Sequence, residues 1–146
     1  MTDNQTRLAI VVPVYNDWES AKRLVEELAG VLSNANTTAR VVLVDDGSTS
    51  TPAALTSPAK DGVHAVEVIR LWCNRGHQAA ICIGLGHVLD QPDCDVVVVM
   101  DGDGEDRPED VPRLVEAVRE HGDAIVFAGR TIRQEGLVFR CFYRLY

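Results

Sequence analysis

The chain has 146 residues, 46% of them hydrophobic, enough apolar mass for one cored domain and too much for a disordered chain. No apolar run approaches the roughly 18 residues that span a bilayer, and the polar start from Met1 to Arg7 is unlike a secretory leader, so a cytoplasmic location is expected. The net charge of −8 excludes a general nucleic-acid binder, which must neutralise phosphates with clustered Lys and Arg.

Leu8 to Val14 is a short β-branched run with no room for a helical period, and it ends where Asn16 and Asp17 supply capping side chains; a strand and a turn are expected. Trp18, Ala21, Leu24, Val25, Leu28 and Leu32 recur at spacings of three and four, the stripe of one helix face, and predict a helix ending near Ser33. Arg40 to Val44 predicts a second buried strand, closed by Asp45-Asp46-Gly47-Ser48. The Ser/Thr/Pro-rich stretch from Ser48 to Pro58 reads as a loop or a short, poorly defined helix. Val63 to Leu71 alternates imperfectly and predicts a third strand. Arg75 to Leu89 predicts a helix whose Ala79, Ala80, Gly84 and Gly86 allow close packing on a sheet. Asp95 to Met100 is the clearest strand, its apolar character suited to a central parallel strand covered on both faces. Val111, Leu114, Val115 and Val118 give another helical stripe after Pro108, Ala124 to Ala128 predicts a fifth strand, and Leu137 to Tyr146 opens a last helix.

Strands alternating with helices predict an α/β fold with a mostly parallel sheet and right-handed crossovers. In such sheets the ligand crevice lies beyond the carboxyl ends of the strands. The first candidates are therefore Tyr15-Asn16-Asp17, Asp45-Asp46-Gly47, Asn74 to His77, Asp101 to Asp106, and Gly129-Arg130. Charge is unevenly spread. Arg130 to Tyr146 holds four Arg and one Glu, a net +3 against −8 for the whole chain, so the remainder carries −11. That basic, aromatic-rich tail suits an anionic surface or ligand, and equally a solvated helix face. Cys73, Cys82, Cys94 and Cys141 form no CxxC pair, so neither zinc nor redox chemistry is indicated and reduced, mostly buried thiols are expected.

Asp101-Gly102-Asp103-Gly104-Glu105-Asp106 puts four acids in six positions directly after a buried strand, where their repulsion is costly unless a cation compensates. Two carboxylates two residues apart on a turn can face one hard divalent ion, and Mg²⁺ takes one or two protein carboxylates and completes its octahedron with phosphates and water. A plain acidic loop capping the next helix is the competing reading. An EF-hand fails on position, because it needs Gly where Asp106 stands and Glu where Pro112 stands. A dinucleotide fingerprint lacks its third glycine, there is no Walker lysine, and a phospho-acceptor receiver needs a lysine near the last strand, whereas the only lysines are Lys22 and Lys60. Asp45 and Asp46 can accept from a base N–H or a ribose hydroxyl, although Asp46-Gly47-Ser48 taken alone reads as a turn. Asn74-Arg75-Gly76-His77-Gln78 opens a helix, and such a terminus attracts anions or is capped by Asn74 alone. His77 has no evident nucleophile beside it and makes no triad.

Four blocks now stand in order: Val11-Val12-Pro13-Val14-Tyr15-Asn16-Asp17, Val42-Leu43-Val44-Asp45-Asp46-Gly47-Ser48, Asn74-Arg75-Gly76-His77-Gln78-Ala79-Ala80, and Met100-Asp101-Gly102-Asp103. Together they resemble family 2 glycosyltransferases of the GT-A fold. Within them the chain is most similar to the polyprenyl-phosphate glycosyltransferases, the group containing dolichyl-phosphate mannose synthase and bactoprenol glucosyltransferase. The resemblance implies a Rossmann-like, mostly parallel sheet flanked by helices and truncated on the acceptor side, since relatives often carry acceptor-side elements and membrane helices further on. Residues 1–129 would form the nucleotide-sugar-binding core, with 130–146 as a basic C-terminal segment of the same domain.

By the same resemblance, Pro13, Tyr15, Asn16 and Asp17 match the first nucleotide-binding segment, Asp45 and Asp46 the acids that meet base and ribose, and Gly76 and His77 a loop beside the nucleotide. Asp101 and Asp103 match the DxD that binds Mg²⁺ or Mn²⁺ bridging the donor diphosphate, and Arg130 and Arg133 are candidates for a phosphate contact. Two departures stand out: Asp17 replaces the usual, longer Glu, and Gly104-Glu105 replaces Leu-Gln, so that Glu105 can join the metal or stand in for a hydrogen-bonding amide. The implied reaction transfers a sugar, with inversion, from a UDP- or GDP-linked donor to a polyprenyl phosphate at the inner face of the membrane. That acceptor is already anionic and needs no strong base; a sugar hydroxyl would, with Glu105 or Asp106 available. The alternative is a non-catalytic nucleotide-sugar-binding module docking to a membrane partner, and an oligomer is compatible with either.

Overall fold

All seven residues of β1 (Leu8–Val14) are buried, which is the pattern of a strand covered on both faces. A computed structural model describes residues 6–50, 62–91, 94–122 and 124–129 of the chain. Beyond β1 it contains α1 (Trp18–Asn34), β2 (Ala39–Asp45), β3 (Val63–Arg70), α2 (His77–Leu89), β4 (Val96–Val99), a 3-10 turn (Pro108–Asp110) and α3 (Val111–His121). The strands form one sheet of order β3-β2-β1-β4, parallel at every pairing. The expected α/β architecture is observed.

Each helix forms for a legible reason. The Asp17 carboxylate accepts the Ser20 N–H (3.1 Å) and caps α1. Its stripe Ala21, Leu24, Val25, Leu28 and Leu32 is buried against Ile10, Val12, Val41 and Leu43. Leu28 and Leu32 are fully buried, so truncating either to Ala would cost about 2–5 kcal/mol. α3 adds Val111 and Val115 to that core. α2 covers the opposite face, where Ala80 and Val88 meet Ala9, Val11, Val42 and Val44. Gly84 permits this contact: a Cβ there would lie 2.5 Å from Val11 Cγ1 and 2.9 Å from Val44 Cγ2. Gly86 and Ala79 do not share that role, since Gly86 has open space beside it and Ala79 is half-buried.

Pro13 sits in an interior strand without breaking a ladder. Val11 O accepts from Met100 N on the β4 side and Val14 O accepts from Asp46 N on the β2 side, so Pro13 turns its nitrogen toward β4, whose pairing stops at Val11↔Val99. At the other end of the sheet, Arg40, Glu67, His87 and Gln91 form a polar cluster between β2, β3 and α2. His87 Nε2 lies 2.8 Å from Glu67 Oε2 and 2.9 Å from Gln91 Nε2, while Arg40 bonds Gln91 and lies 3.5 Å from Glu67.

Several expectations are corrected. β4 is an edge strand among the described residues, with Val99 at 40% exposure; a run of valines marks burial but carries no record of how many neighbours a strand has. Ala124 to Ala128 is not a strand. It pairs with no neighbour among the described residues, and Ile125 and Phe127 are 84% and 85% exposed, because strand propensity is realised only when a partner strand completes the ladder. The three described thiols, Cys73, Cys82 and Cys94, are free, yet Cys73 and Cys82 are exposed and Cys94 is half-buried, where burial pushes its thiol pKa up; Cys141 lies outside the described residues. The second helix begins at His77 rather than Arg75, since Gly76 adopts φ +92°. The rest of the loop predicted to reach Pro58, beyond Ser50, and the helix predicted from Leu137 lie outside the described residues.

Candidate functional site

Because the four strands run parallel, their carboxyl ends Val14, Asp45, Arg70 and Val99 share one edge. The segments that leave this edge are bonded to one another. Asn16, in the left-handed region at φ 57°, donates its N–H to Ser48 Oγ (2.8 Å). Its side-chain oxygen accepts from both the N–H (2.8 Å) and the hydroxyl (3.0 Å) of Thr49. Asn16 thereby ties the loop after β1 to the loop after β2. Tyr15 beside it is 51% exposed.

Asp45 and Asp46 are buried, at 1% and 3% exposure. Asp45 Oδ1 accepts the Ser48 N–H (2.8 Å), which closes the Asp-Asp-Gly-Ser turn. Asp45 Oδ2 has the Arg70 Nε at 3.4 Å, an ionic contact without a hydrogen bond. Asp46 reaches the other way: its two oxygens accept the backbone N–H groups of Arg75 (2.7 Å) and Gly76 (2.9 Å). A buried carboxylate thus anchors the entry to α2, with Asn74 Oδ1 also accepting from Gly76 N (3.1 Å). The two loops touch closely at Gly47, where a Cβ would lie 2.5 Å from the Cys73 carbonyl carbon.

The acidic turn after β4 is held by its own members. The Asp106 carboxylate accepts the Asp101 N–H (2.8 Å), and Asp103 Oδ1 accepts the Glu105 N–H (2.9 Å). Gly104, at φ +85°, supplies the left-handed step. His77 Nε2 lies 3.2 Å from Asp101 Oδ1, which joins the start of α2 to the end of β4. On its far side the turn opens on a crevice of about 230 Å³, with Asp103 and Asp106 facing Ser20, Arg23 and Glu27 of α1.

The edge therefore gathers Pro13, Tyr15, Asn16, Asp17, Asp45, Asp46, Gly76, His77, Asp101, Asp103 and Glu105. Arg130 and Arg133 lie outside the described residues. Sequence reasoning missed the tying roles of Asn16, Ser48 and Arg70, and the return of Asp106 onto Asp101. Only the Asp45 to Ser48 turn carried a local signal, an acid three residues before a hydroxyl. Asp101 and Asp103 offer hard carboxylate oxygens, and no set of three or more metal-ligating side chains stands together among the described residues. That donor set fits a cation such as Mg²⁺, which leaves most of its positions to phosphate and water.

The chain is 35% identical over 130 residues to the undecaprenyl-phosphate 4-deoxy-4-formamido-L-arabinose transferase of Sodalis glossinidius (strain morsitans), a match covering 88% of this chain and 37% of the relative. It is 33% identical over 138 residues to the transferase of the same description from Pectobacterium carotovorum subsp. carotovorum (strain PC1), covering 94% and 41%. The chain thus spans about two fifths of the length of these curated relatives. Among solved structures, S. aureus TarS 1-349 in complex with UDP superposes with a TM-score of 0.56 at 20% identity, over 88% of this chain and 38% of that one. This likeness is one of fold alone, a GT-A-like one. The profile described as "Glycosyl transferase family 2" matches residues 9–141, nearly the whole chain, and on that match the chain belongs to glycosyl transferase family 2.

Proposed function

We propose that this chain forms the donor-binding part of an inverting, metal-dependent transferase that moves a sugar from a UDP- or GDP-linked donor to a polyprenyl phosphate. One observation carries the reading: the Asp45-Asp46 turn, the Asn74 to His77 loop and the Asp101 to Asp103 turn are bonded together at one edge of the sheet. The relatives named as undecaprenyl-phosphate sugar transferases supply the acceptor class, and the UDP complex of TarS supports a nucleoside diphosphate donor.

Each residue has a stated part. Pro13, Tyr15, Asn16 and Asp17 run along the donor. Asp45 and Asp46 form the wall toward base and ribose; each Asp46 oxygen keeps a second lone pair beyond the loop amide it binds, an acceptor for a base N–H or a ribose hydroxyl. Gly76 and His77 flank the nucleotide. Asp101 and Asp103 would hold Mg²⁺ or Mn²⁺, with Glu105 adjacent, and Arg130 and Arg133 would contact phosphate. When bound, such an ion offsets the charge that grows on a departing diphosphate.

The acceptor phosphate is anionic near neutral pH and attacks without a strong base, so Glu105 and Asp106 are not required for proton transfer. The residues of the edge then serve to fix the donor in line with the acceptor. No described helix is long and apolar enough to cross a membrane. We place the basic segment 130–146 of the same domain at an anionic inner leaflet, where each Arg contributes about 1 kcal/mol.

Calorimetric titration with UDP and GDP in the presence of Mg²⁺ or Mn²⁺ tests the donor site. Binding that needs the ion and disappears in Asp103→Ala is the expected result, and unchanged ion-dependent binding in that variant overturns the metal assignment. Release of nucleoside diphosphate from donor plus polyprenyl phosphate, assayed on this chain and on any longer chain containing it, tests turnover. Binding without release in both would identify a non-catalytic donor-binding module.

A further inference from the structure

We propose that the indole of Trp72 is the surface on which the donor's nucleobase stacks, an assignment that rests on the donor-binding reading and adds its base-recognising face. Trp72 is fully exposed, at 104% of its reference area, although an indole is a side chain that proteins usually cover. It stands in the loop between β3 and α2, at the carboxyl edge of the sheet.

That loop is not loosely attached. Leu71 N donates to Asp45 O (2.9 Å) on one side of Trp72. On the other side, Arg75 N and Gly76 N are held by the Asp46 carboxylate. The backbone of Cys73, the next residue, presses on Gly47 so closely that a Cβ there would meet its Cα at 2.8 Å. Trp72 is thus carried on a backbone fixed to the Asp45-Asp46 turn, and a platform fixed in advance loses little entropy on binding.

The chemistry around it complements a nucleotide. Arg75, three residues on, is exposed, and its guanidinium makes no ion pair among the described residues. Trp72 and Arg75 belong to one short loop whose backbone is bonded to Asp46, and that set of groups can supply stacking for a base, a cation for phosphate and acceptors for N–H or hydroxyl groups. A bilayer is the less suitable occupant. The whole chain carries −8 and the same edge presents Asp101, Asp103 and Glu105, so an anionic leaflet would be repelled there.

The chain contains two tryptophans, Trp18 and Trp72, so the difference between wild-type emission and that of Trp72→Phe isolates Trp72. Saturating UDP or GDP with Mg²⁺ should quench that component. By calorimetry, Trp72→Ala should weaken UDP and GDP alike, by about tenfold, because stacking is tolerant of base identity. Trp72→Tyr should recover most of the loss. Wild-type affinity in Trp72→Ala overturns the stacking role while leaving the donor site standing; absence of any nucleotide binding by the wild-type chain overturns both. A blue shift of the Trp72 component with phosphatidylglycerol vesicles, with no response to nucleotide, overturns the proposal in favour of membrane contact.

Discussion

His77, the first residue of α2, places its Nε2 3.2 Å from Oδ1 of Asp101, the residue that follows Met100 at the end of β4. The loop anchored by Asp46 and the acidic turn therefore share a contact. Groups that hold a carboxylate in position beside a metal commonly matter tenfold or more to metal affinity. His77→Ala is expected to weaken ion-dependent nucleotide binding about tenfold. Its unfolding midpoint should move little, because the ring is half-exposed and exposed ion pairs contribute at most about 1 kcal/mol. Calorimetry with Mg²⁺ and UDP or GDP, beside a thermal melt, checks both; unaltered affinity would separate His77 from the donor site.

Asp46→Asn leaves the shape of the side chain but replaces one acceptor oxygen with an NH₂ group. In a site 3% exposed, that group faces the backbone N–H of Arg75 or Gly76, donor against donor. The loss of a charge-assisted bond and the orphaned donor should cost about 2–3 kcal/mol. Urea unfolding of the variant measures this directly. A loss below about 0.5 kcal/mol would show that the loop does not depend on the carboxylate.

Gly47→Ala and Gly104→Ala separate close approach from backbone strain. Both glycines have positive φ, 73° and 85°, so either substitution incurs about 1–2 kcal/mol of left-handed strain. At Gly47 the added methyl also lies 2.5 Å from the Cys73 carbonyl carbon and 2.6 Å from Asn74 N, whereas nothing lies within 4 Å at Gly104. Gly47→Ala should therefore be the more destabilising of the two by at least about 1 kcal/mol. Equal losses in parallel urea titrations would remove the argument that the two loops are in contact.

These relationships explain how far the sequence could be read. β1, β2, α1 and α3 were legible because their apolar spacing is set by the core they face, and Asp17 announced a cap. The approximate extent of α2 was read from its small residues, although it is apolar around its circumference and shows no stripe; its starting residue was not, since that depends on Asp46, thirty positions earlier. The four valines of β4 signal burial and say nothing of position in the sheet. Ala124 to Ala128 has strand composition without a partner among the described residues. The acids of the candidate site were visible as residue types. What remained invisible was that Asp46 spends both oxygens on backbone N–H groups, because a backbone donor has no letter of its own. The Arg40, Glu67, His87 and Gln91 cluster was hidden for a related reason: its members are brought together only by the pairing of β2 with β3 and the packing of α2 beside them.

The base of the sheet gives a pH-dependent prediction. Arg7 donates to Asp95 from Nη2 (2.6 Å), Nε (3.1 Å) and its backbone N–H (2.9 Å). These bonds, the side-chain ones foremost, hold the Asp95 pKa at about 2, below its ordinary 3.8. The folded chain thus keeps this carboxylate charged where the unfolded chain takes a proton. The resulting stabilisation is fully present above about pH 4 and is lost as the pH falls toward 2. Because the pair is open to solvent, added salt should weaken it as well. Asp95→Asn should be less stable than the wild type at pH 7, with the gap narrowing through this acid window and narrowing again in high salt. Urea unfolding of both proteins across pH 7 to 2.5 measures the gap, and a gap independent of pH would mean that the carboxylate's charge contributes nothing to the junction of Arg7 with β4.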